Sequence, residues 1–247
     1  TSLGIDDNAD ATAITIDSSE NVGIGVVPEA WSASWTALDL GSKGSLSHNG
    51  NFVSVGNNAY NNGAWRYKDT QLASDYYQEN GAHGFRVAVS GTADAAITWT
   101  NAMTIDNSGR VTKPLQPAFD AYHNGDAYSS GTTVAALDLD ATRLNVGSHY
   151  NTSNDRFTAP VAGVYRFNYR TMINGGISNA HARMQKNGSV MSGSDHHYSQ
   201  PTGVAWNSWT LSILVSLAAN DYVEVKHTVN ASIYGNNYQS FNGYLLG

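Results

Sequence analysis

Asp195-His196-His197-Tyr198 is the only place where two of the eight histidines adjoin, and imidazole nitrogens beside a carboxylate are metal-ligand chemistry. Adjacent histidines in a strand point to opposite faces; in a loop both can reach one ion, and at a threefold axis one histidine per chain supplies three ligands. A polar surface loop without a metal is the favoured reading. The carboxylates offer less. The four glutamates are Glu20, Glu29, Glu79 and Glu224, and no two acidic residues fall in a pattern that marks a glycosidase pair. Asp138 and Asp140 read as a solvated strand edge. Asp6-Asp7-Asn8-Ala9-Asp10 has oxygens suited to calcium but lacks the glycine and distal glutamate of an EF-hand loop, so calcium is the ion it would take and no cofactor is expected. There is no Gly-x-Ser-x-Gly elbow, cysteine nucleophile, phosphate loop or dinucleotide fingerprint, and no enzyme is expected.

Recognition chemistry is better represented. Tyr234-Gly235-Asn236-Asn237-Tyr238 combines large contact area with adaptable hydrogen bonds, as does the stretch Ser192 to Thr202 with Asp195, His196, His197 and Tyr198. These two stretches are the candidate receptor-binding residues; the alternative is that they are merely long loops. Trp206 and Trp209 are weaker candidates, the second because it shares an alternating apolar face. Trp65, Tyr67, Tyr76 and Tyr77 suit either a sugar-stacking platform or the packing of a small trimeric core with Phe85 and Trp99, and packing is favoured.

Strands must position these side chains. Tyr165, Phe167 and Tyr169 alternate with Arg166, Asn168 and Arg170, the period-two pattern of a half-buried strand. Trp209, Leu211, Ile213, Val215 and Leu217 repeat it, as do Val223, Val225 and His227. Asn187-Gly188, Asn174-Gly175-Gly176 and Asn220-Asp221 supply turns between the runs. Such spacing predicts an all-β sandwich or barrel with little helix. Leu214 breaks the alternation on the face of Thr210, Ser212 and Ser216; it is either a lone exposed leucine or a trimer-interface residue.

The first half contains a repeat. Ala13-Ile14-Thr15-Ile16-Asp17-Ser18-Ser19-Glu20-Asn21-Val22 returns as Ala102-Met103-Thr104-Ile105-Asp106-Asn107-Ser108-Gly109-Arg110-Val111, each copy reading strand, turn, strand. Glu20 stands where the second copy has glycine, which predicts that Asn21 takes the positive φ. Lys113-Pro114-Leu115-Gln116-Pro117 marks a boundary, because its prolines remove backbone donors. The expected division is residues 1–30 (hairpin repeat), 31–100 (β-rich intermediate module), 101–116 (second repeat and linker) and 117–247 (globular sandwich). A lone hairpin is hardly stable in water, whereas three chains around one axis can bury its isoleucines.

Composition excludes other classes. Only 13% of the 247 residues are charged, glycine (24) and tyrosine (14) are abundant, and cysteine is absent. Residues 1–116 hold 12 acidic and 6 basic side chains and residues 117–247 hold 8 and 7, so most of the net charge of −7 lies in the first half. This is no nucleic-acid binder, and no apolar run approaches the roughly 20 residues that span a bilayer. The chain begins at Thr1 without a signal-peptide pattern and reads as the C-terminal part of a longer polypeptide.

A series of short signatures also runs in order through the second half: Pro117-Ala118-Phe119, Asn145, Tyr150-Asn151, Phe157-Thr158-Ala159-Pro160-Val161-Ala162-Gly163-Val164-Tyr165-Arg166-Phe167, Lys186-Asn187-Gly188, Leu217-Ala218-Ala219-Asn220-Asp221-Tyr222-Val223 and Ser240-Phe241-Asn242-Gly243-Tyr244-Leu245-Leu246. The stretch resembles the globular head of the complement C-one-q and tumour necrosis factor superfamily, which implies a jelly roll assembling as a homotrimer. The Thr-Ile-Asp-x-Ser-Gly-x-Val unit with its Val22-Gly23-Ile24-Gly25 extension resembles the linker element of tailed-phage tail fibres. Together they imply an extracellular virion appendage: a trimeric fibre of hairpin shaft modules joined to other virion tail proteins through a missing N-terminal part, with a tip that binds host surface glycan or protein. The alternative is a structural fibre, collar or decoration protein whose head is a trimerisation clamp.

Overall fold

The computed structural model describes residues 13–128, 131–174, 177–200, 205–229 and 232–247, without the side chains at 131–136, 174, 177–179, 200, 229 and 237. The chain divides into two compact units at Pro114/Leu115. Among the described residues there is no α-helix, and the fold is built from strands, as the alternating patterns predict.

The first unit holds β1 (Ile14–Ile16), β2 (Val22–Ile24), β3 (Thr36–Leu40), β4 (Gly44–Asn49), β5 (Phe52–Asn57), β6 (Ala59–Asn61), β7 (Trp65–Tyr67), β8 (Gln71–Glu79), β9 (Ala82–Gly91), β10 (Thr100–Ile105) and β11 (Val111–Thr112). Nine of them form one sheet in the order β1-β2-β3-β4-β5-β8-β9-β10-β11, and β6 pairs with β7. The two repeated hairpins are therefore the two ends of a single sheet. Their turns share one geometry. Asp17 Oδ1 accepts the Ser19 and Asn21 amides at 2.8 and 2.9 Å, and Asp106 Oδ1 accepts those of Ser108 and Arg110 at 2.9 and 3.0 Å. Hydrogen bonds hold both carboxyls below the usual aspartate range, that of Asp17 chiefly from the Asn21 side chain and that of Asp106 chiefly from the Arg110 amide. Glu20 itself takes the positive φ, at 66°, against 80° at Gly109. Asn21 does not, because its amide side chain is committed to Asp17 and to the Ala37 N–H.

The two faces of this sheet differ. Pairing aligns Gly23, Asp39, Ser45, Gly56, Asp75 and Arg86 in one row, beneath the aromatic packing of Trp31, Trp35, Tyr60 and Trp65. Asp39 is neutralised there by Lys68 at 2.6 Å, both side chains 1% exposed. On the other face the same pairing aligns Val22, Leu38, Leu46, Val55, Tyr76, Phe85 and Met103, an apolar row across seven strands. Leu46, Val55 and Phe85 in that row are exposed, as are Val53, Val87 and Val89 beside it.

The second unit holds β12 (Ala118–Tyr122), β13 (Gly131–Ala136), β14 (Ala141–Val146), β15 (Tyr150–Asn151), β16 (Arg156–Thr158), β17 (Gly163–Asn174), β18 (Ile177–Lys186), β19 (Ser189–Gln200), β20 (Trp206–Leu217), β21 (Tyr222–Val229), β22 (Ser232–Ile233) and β23 (Ser240–Leu245). One sheet runs β14-β12-β23-β17-β20 with β22 against β17; the other runs β15-β16-β21-β18-β19 with β13 against β21. Phe119, Phe157, Tyr165, Phe167, Tyr169 and Phe241 are buried between them, the inward half of each alternation, and the result is a jelly roll. Gly243 is required where it stands: a Cβ there would lie 2.4 Å from the Phe167 ring.

Candidate functional site

Asp195-His196-His197-Tyr198 lies in strand β19, not in a loop. The stretch escapes a strand reading because its inward residues are polar or aromatic and its outward ones solvated. Alternation then splits the four side chains. His196 and Tyr198 face Trp209, whose Nε1–H donates to His196 Nδ1 at 3.2 Å and whose ring stacks on Tyr198 at 5.7 Å. Asp195 and His197 take the opposite face, so the adjacent histidines cannot share an ion. The cross-strand register instead sets His181 of β18 directly opposite His197. The two rings stack with centroids 4.1 Å apart, His181 Nε2 contacts Asp195 Oδ1, and His197 Nε2 lies 3.8 Å from the same oxygen. His181 has no sequence motif of its own and is found only once the register is known.

The Tyr234–Tyr238 stretch forms an aromatic group with a residue the sequence reading set aside. Tyr234 meets Trp206 edge-on at 4.3 Å and Tyr238 edge-on at 4.7 Å, while Trp206 and Tyr238 remain 39% and 48% exposed. A 3-10 turn over Asn236–Tyr238 presents them, with Asn236 at φ 53°. The Asn237 side chain lies outside the described residues. β20 stands between the two candidate stretches: Trp206 touches Tyr234, and Asn207 bonds to the Tyr198 hydroxyl.

Leu214 projects from the outward face of the β14-β12-β23-β17-β20 sheet and is 61% exposed. Register places it in a row with Arg166, Tyr244, Ala118 and Val146. The next row, Asp120, Asn242, Asn168 and Ser212, is polar, and three of its members are hydrogen-bonded in series: Ser212 Oγ donates to Asn168 Oδ1 at 2.8 Å and Asn168 Nδ2 to Asn242 Oδ1 at 3.1 Å. Asp120, Asn168 and Asn242 of this row line, with Arg143, Arg170, Thr210 and Ser240, an open groove of about 540 Å³.

The four aromatics of the first unit do not form one platform. Trp65 and Tyr77 surround the Arg86 guanidinium at 4.7 and 4.8 Å with Trp99 at 4.5 Å, and Tyr67 is buried with its hydroxyl donating to the Val89 carbonyl at 2.6 Å. Tyr76 points to the other face, onto Phe85. Arg86 also pairs with Asp75 at 2.6 Å, whose carboxyl burial raises against the pull of Ser54 and Arg86.

Asp138 and Asp140 are not on a strand; they flank buried Leu139 in the segment between β13 and β14, with oxygens 3.5 and 3.7 Å from His123 Nδ1. Burial, with their charges adding, pushes nearby Asp155 up to about 6. The acidic run at residues 6–10 lies outside the described residues. His227 is fully buried against Tyr169 and Trp209, and burial, then the charge of His181, lowers its pKa to about 3.

Among the described residues no helix is long and apolar enough to cross a membrane. Among solved structures the globular domain of the zebrafish complement 1qA protein is similar at 15% identity, over 53% of this chain and 98% of its own, with TM-score 0.40. Murine APRIL is similar at 14% over 53% and 98%, TM-score 0.38, and the Eiger TNF of S. frugiperda at 13% over 53% and 93%, TM-score 0.43. The family model of the C1q domain matches residues 118–246, and with that match the chain belongs to the C1q domain family.

Proposed function

We propose that the chain is the distal part of a virion appendage, a tail fibre of a tailed phage, which acts outside the cell as a homotrimer and binds a host-surface glycan or protein through its jelly roll. The observation that carries the binding role is the exposed aromatic group Trp206, Tyr234 and Tyr238 beside Asn236, a surface suited to stacking on a sugar ring or a flat protein patch. Three such sites on one knob, multiplied over several fibres, give avidity from individually weak contacts. The repeated hairpins support the appendage, and the apolar row of the first unit is the surface that threefold association would cover. Adsorption of the purified chain to a panel of bacterial cells, in competition with phage, tests the role. Trp206→Ala with Tyr238→Ala is expected to abolish competition; undiminished competition by that variant would move the contact elsewhere.

A second reading, a trimerisation clamp that binds nothing, is favoured by the exposed row containing Leu214 and Tyr244. On this reading deletion of the jelly roll abolishes trimers, and changes in its loops leave adsorption untouched.

A further inference from the structure

The geometry points to a divalent transition-metal site, suited to Zn²⁺, formed by His181, Asp195 and His197 on the β18–β19 edge of the jelly roll. Each side chain offers one ligand atom, and the three atoms lie within 4.8 Å of one another. Their convergence is a consequence of register. His181 and His197 are direct cross-strand partners, and Asp195 is two residues along β19, hence on the same face. Zinc bonds of about 2.0–2.2 Å to imidazole nitrogen and carboxylate oxygen put tetrahedral ligand atoms about 3.3–3.6 Å apart, so His197 Nε2, 3.8 Å from Asp195 Oδ1, is nearly in place, while His181 Nε2 and Asp195 Oδ1, in direct contact here, separate by side-chain rotation to admit the ion.

The donor set selects the class of ion. Two imidazoles and one carboxylate suit zinc and its first-row neighbours, whereas calcium and magnesium favour oxygen ligands. The sequence has no cysteine, so histidines are the only strong soft or borderline ligands available to it. A second cluster, His123 with Asp138 and Asp140, carries one imidazole and two carboxylates, and Asp140 Oδ1 already accepts the Asn124 amide at 2.7 Å. It is the weaker zinc site and serves as the internal comparison.

Entry and an open position are both present. Asp195 and His197 side chains are 39% and 60% exposed, and β19 is the edge strand of its sheet. Three protein ligands leave the fourth tetrahedral position to solvent or to a carboxylate or imidazole of another molecule. Bound metal would also tie the edge strand to its neighbour and fix the two histidine rings.

Titration of the full chain with ZnCl2 by calorimetry is expected to give one tight site per chain, with CaCl2 and MgCl2 showing none there. Co²⁺ substitution should give the intense visible bands of tetrahedral coordination. His197→Ala, chosen because its exposure spares the fold, is expected to weaken zinc more than about tenfold, as loss even of a partner behind a metal ligand costs 10–100-fold. Asp195→Asn should weaken it as well, and His123→Ala should leave it unchanged. Absence of tight zinc binding, or binding lost in His123→Ala and retained in His197→Ala, would overturn the assignment. Circular dichroism of each variant separates ligand loss from misfolding.

Discussion

His227→Leu should make the jelly roll less sensitive to acid. The imidazole is fully buried between Tyr169 and Trp209, and it stays neutral in the fold down to about pH 3. The unfolded chain takes up a proton near the ordinary 6.5. Below that pH the unfolded state therefore binds a proton the fold refuses, and stability falls as pH falls. Between pH 7 and pH 5 the histidine term changes the folding equilibrium by about 25-fold, or about 2 kcal/mol, whatever the folded pKa so long as it lies well under 5. Asp155 acts in the other direction. Its carboxyl, pushed up to about 6, gains a proton in the fold first and returns part of that stability as pH falls. Wild type and variant share this term, so it cancels in their difference. Urea unfolding at both pH values and one protein concentration, followed by hydrogen exchange in peptides covering β21, measures that difference. The leucine variant is expected to lose about 2 kcal/mol less than wild type between pH 7 and 5. Parallel pH curves for the two proteins would mean that His227 titrates in the fold as it does unfolded, and the burial argument would fail.

Other perturbations read other parts of the structure. Glu20→Gly removes a left-handed non-glycine residue and should stabilise the first unit by about 1 kcal/mol in thermal or chemical unfolding. Arg86→Met leaves Asp75 buried without its cation and should cost about 3–5 kcal/mol, with Asp75→Asn in the same chain recovering a large part of the loss. Leu214→Asp should lower the mass seen by light scattering if its row is the contact between chains, and leave it unchanged if the leucine is merely exposed. The mass of that variant distinguishes the two.

Sequence periodicity carries most of the jelly roll. β17 and β20 are legible because each has one buried and one solvated face, and burial of Tyr165, Phe167, Tyr169, Trp209 and Leu211 follows directly; β21 is legible from its alternation of Val223, Val225 and His227 with Glu224 and Lys226, although Glu224 is buried as well. β19 is not legible, since its outward positions are solvated and its inward face carries a buried polar residue, Ser194, and an exposed one, His196. Partnership across strands is hidden for a different reason. His181 and His197 are sixteen positions apart, and only register, set by the pairing of Ala180–Arg183 with Asp195–Tyr198, places them opposite each other. The same holds for the apolar row of the first unit, where seven residues from seven strands carry no common motif. Trp206 misleads because nearby Trp209 is core; the two lie three positions apart, so they take opposite faces of β20. The turn at Glu20 shows local chemistry overriding preference. Asn21 is the better left-handed residue, but its side chain bridges Asp17 to β3 and leaves the strained position to its neighbour.

The matched turns at Asp17 and Asp106 have a genetic consequence. Because both copies close with the same backbone geometry at opposite ends of one sheet, an in-frame crossover between them would join Ile105 to Asp17, a junction equivalent to the existing Ile16–Asp17. Unequal exchange would thus duplicate the whole segment from Asp17 to Ile105, or delete it, without creating a turn the chain does not already make. Lineages carrying this hairpin pair can change length by whole sheets, and the unit of that change is set by a hydrogen-bonded aspartate.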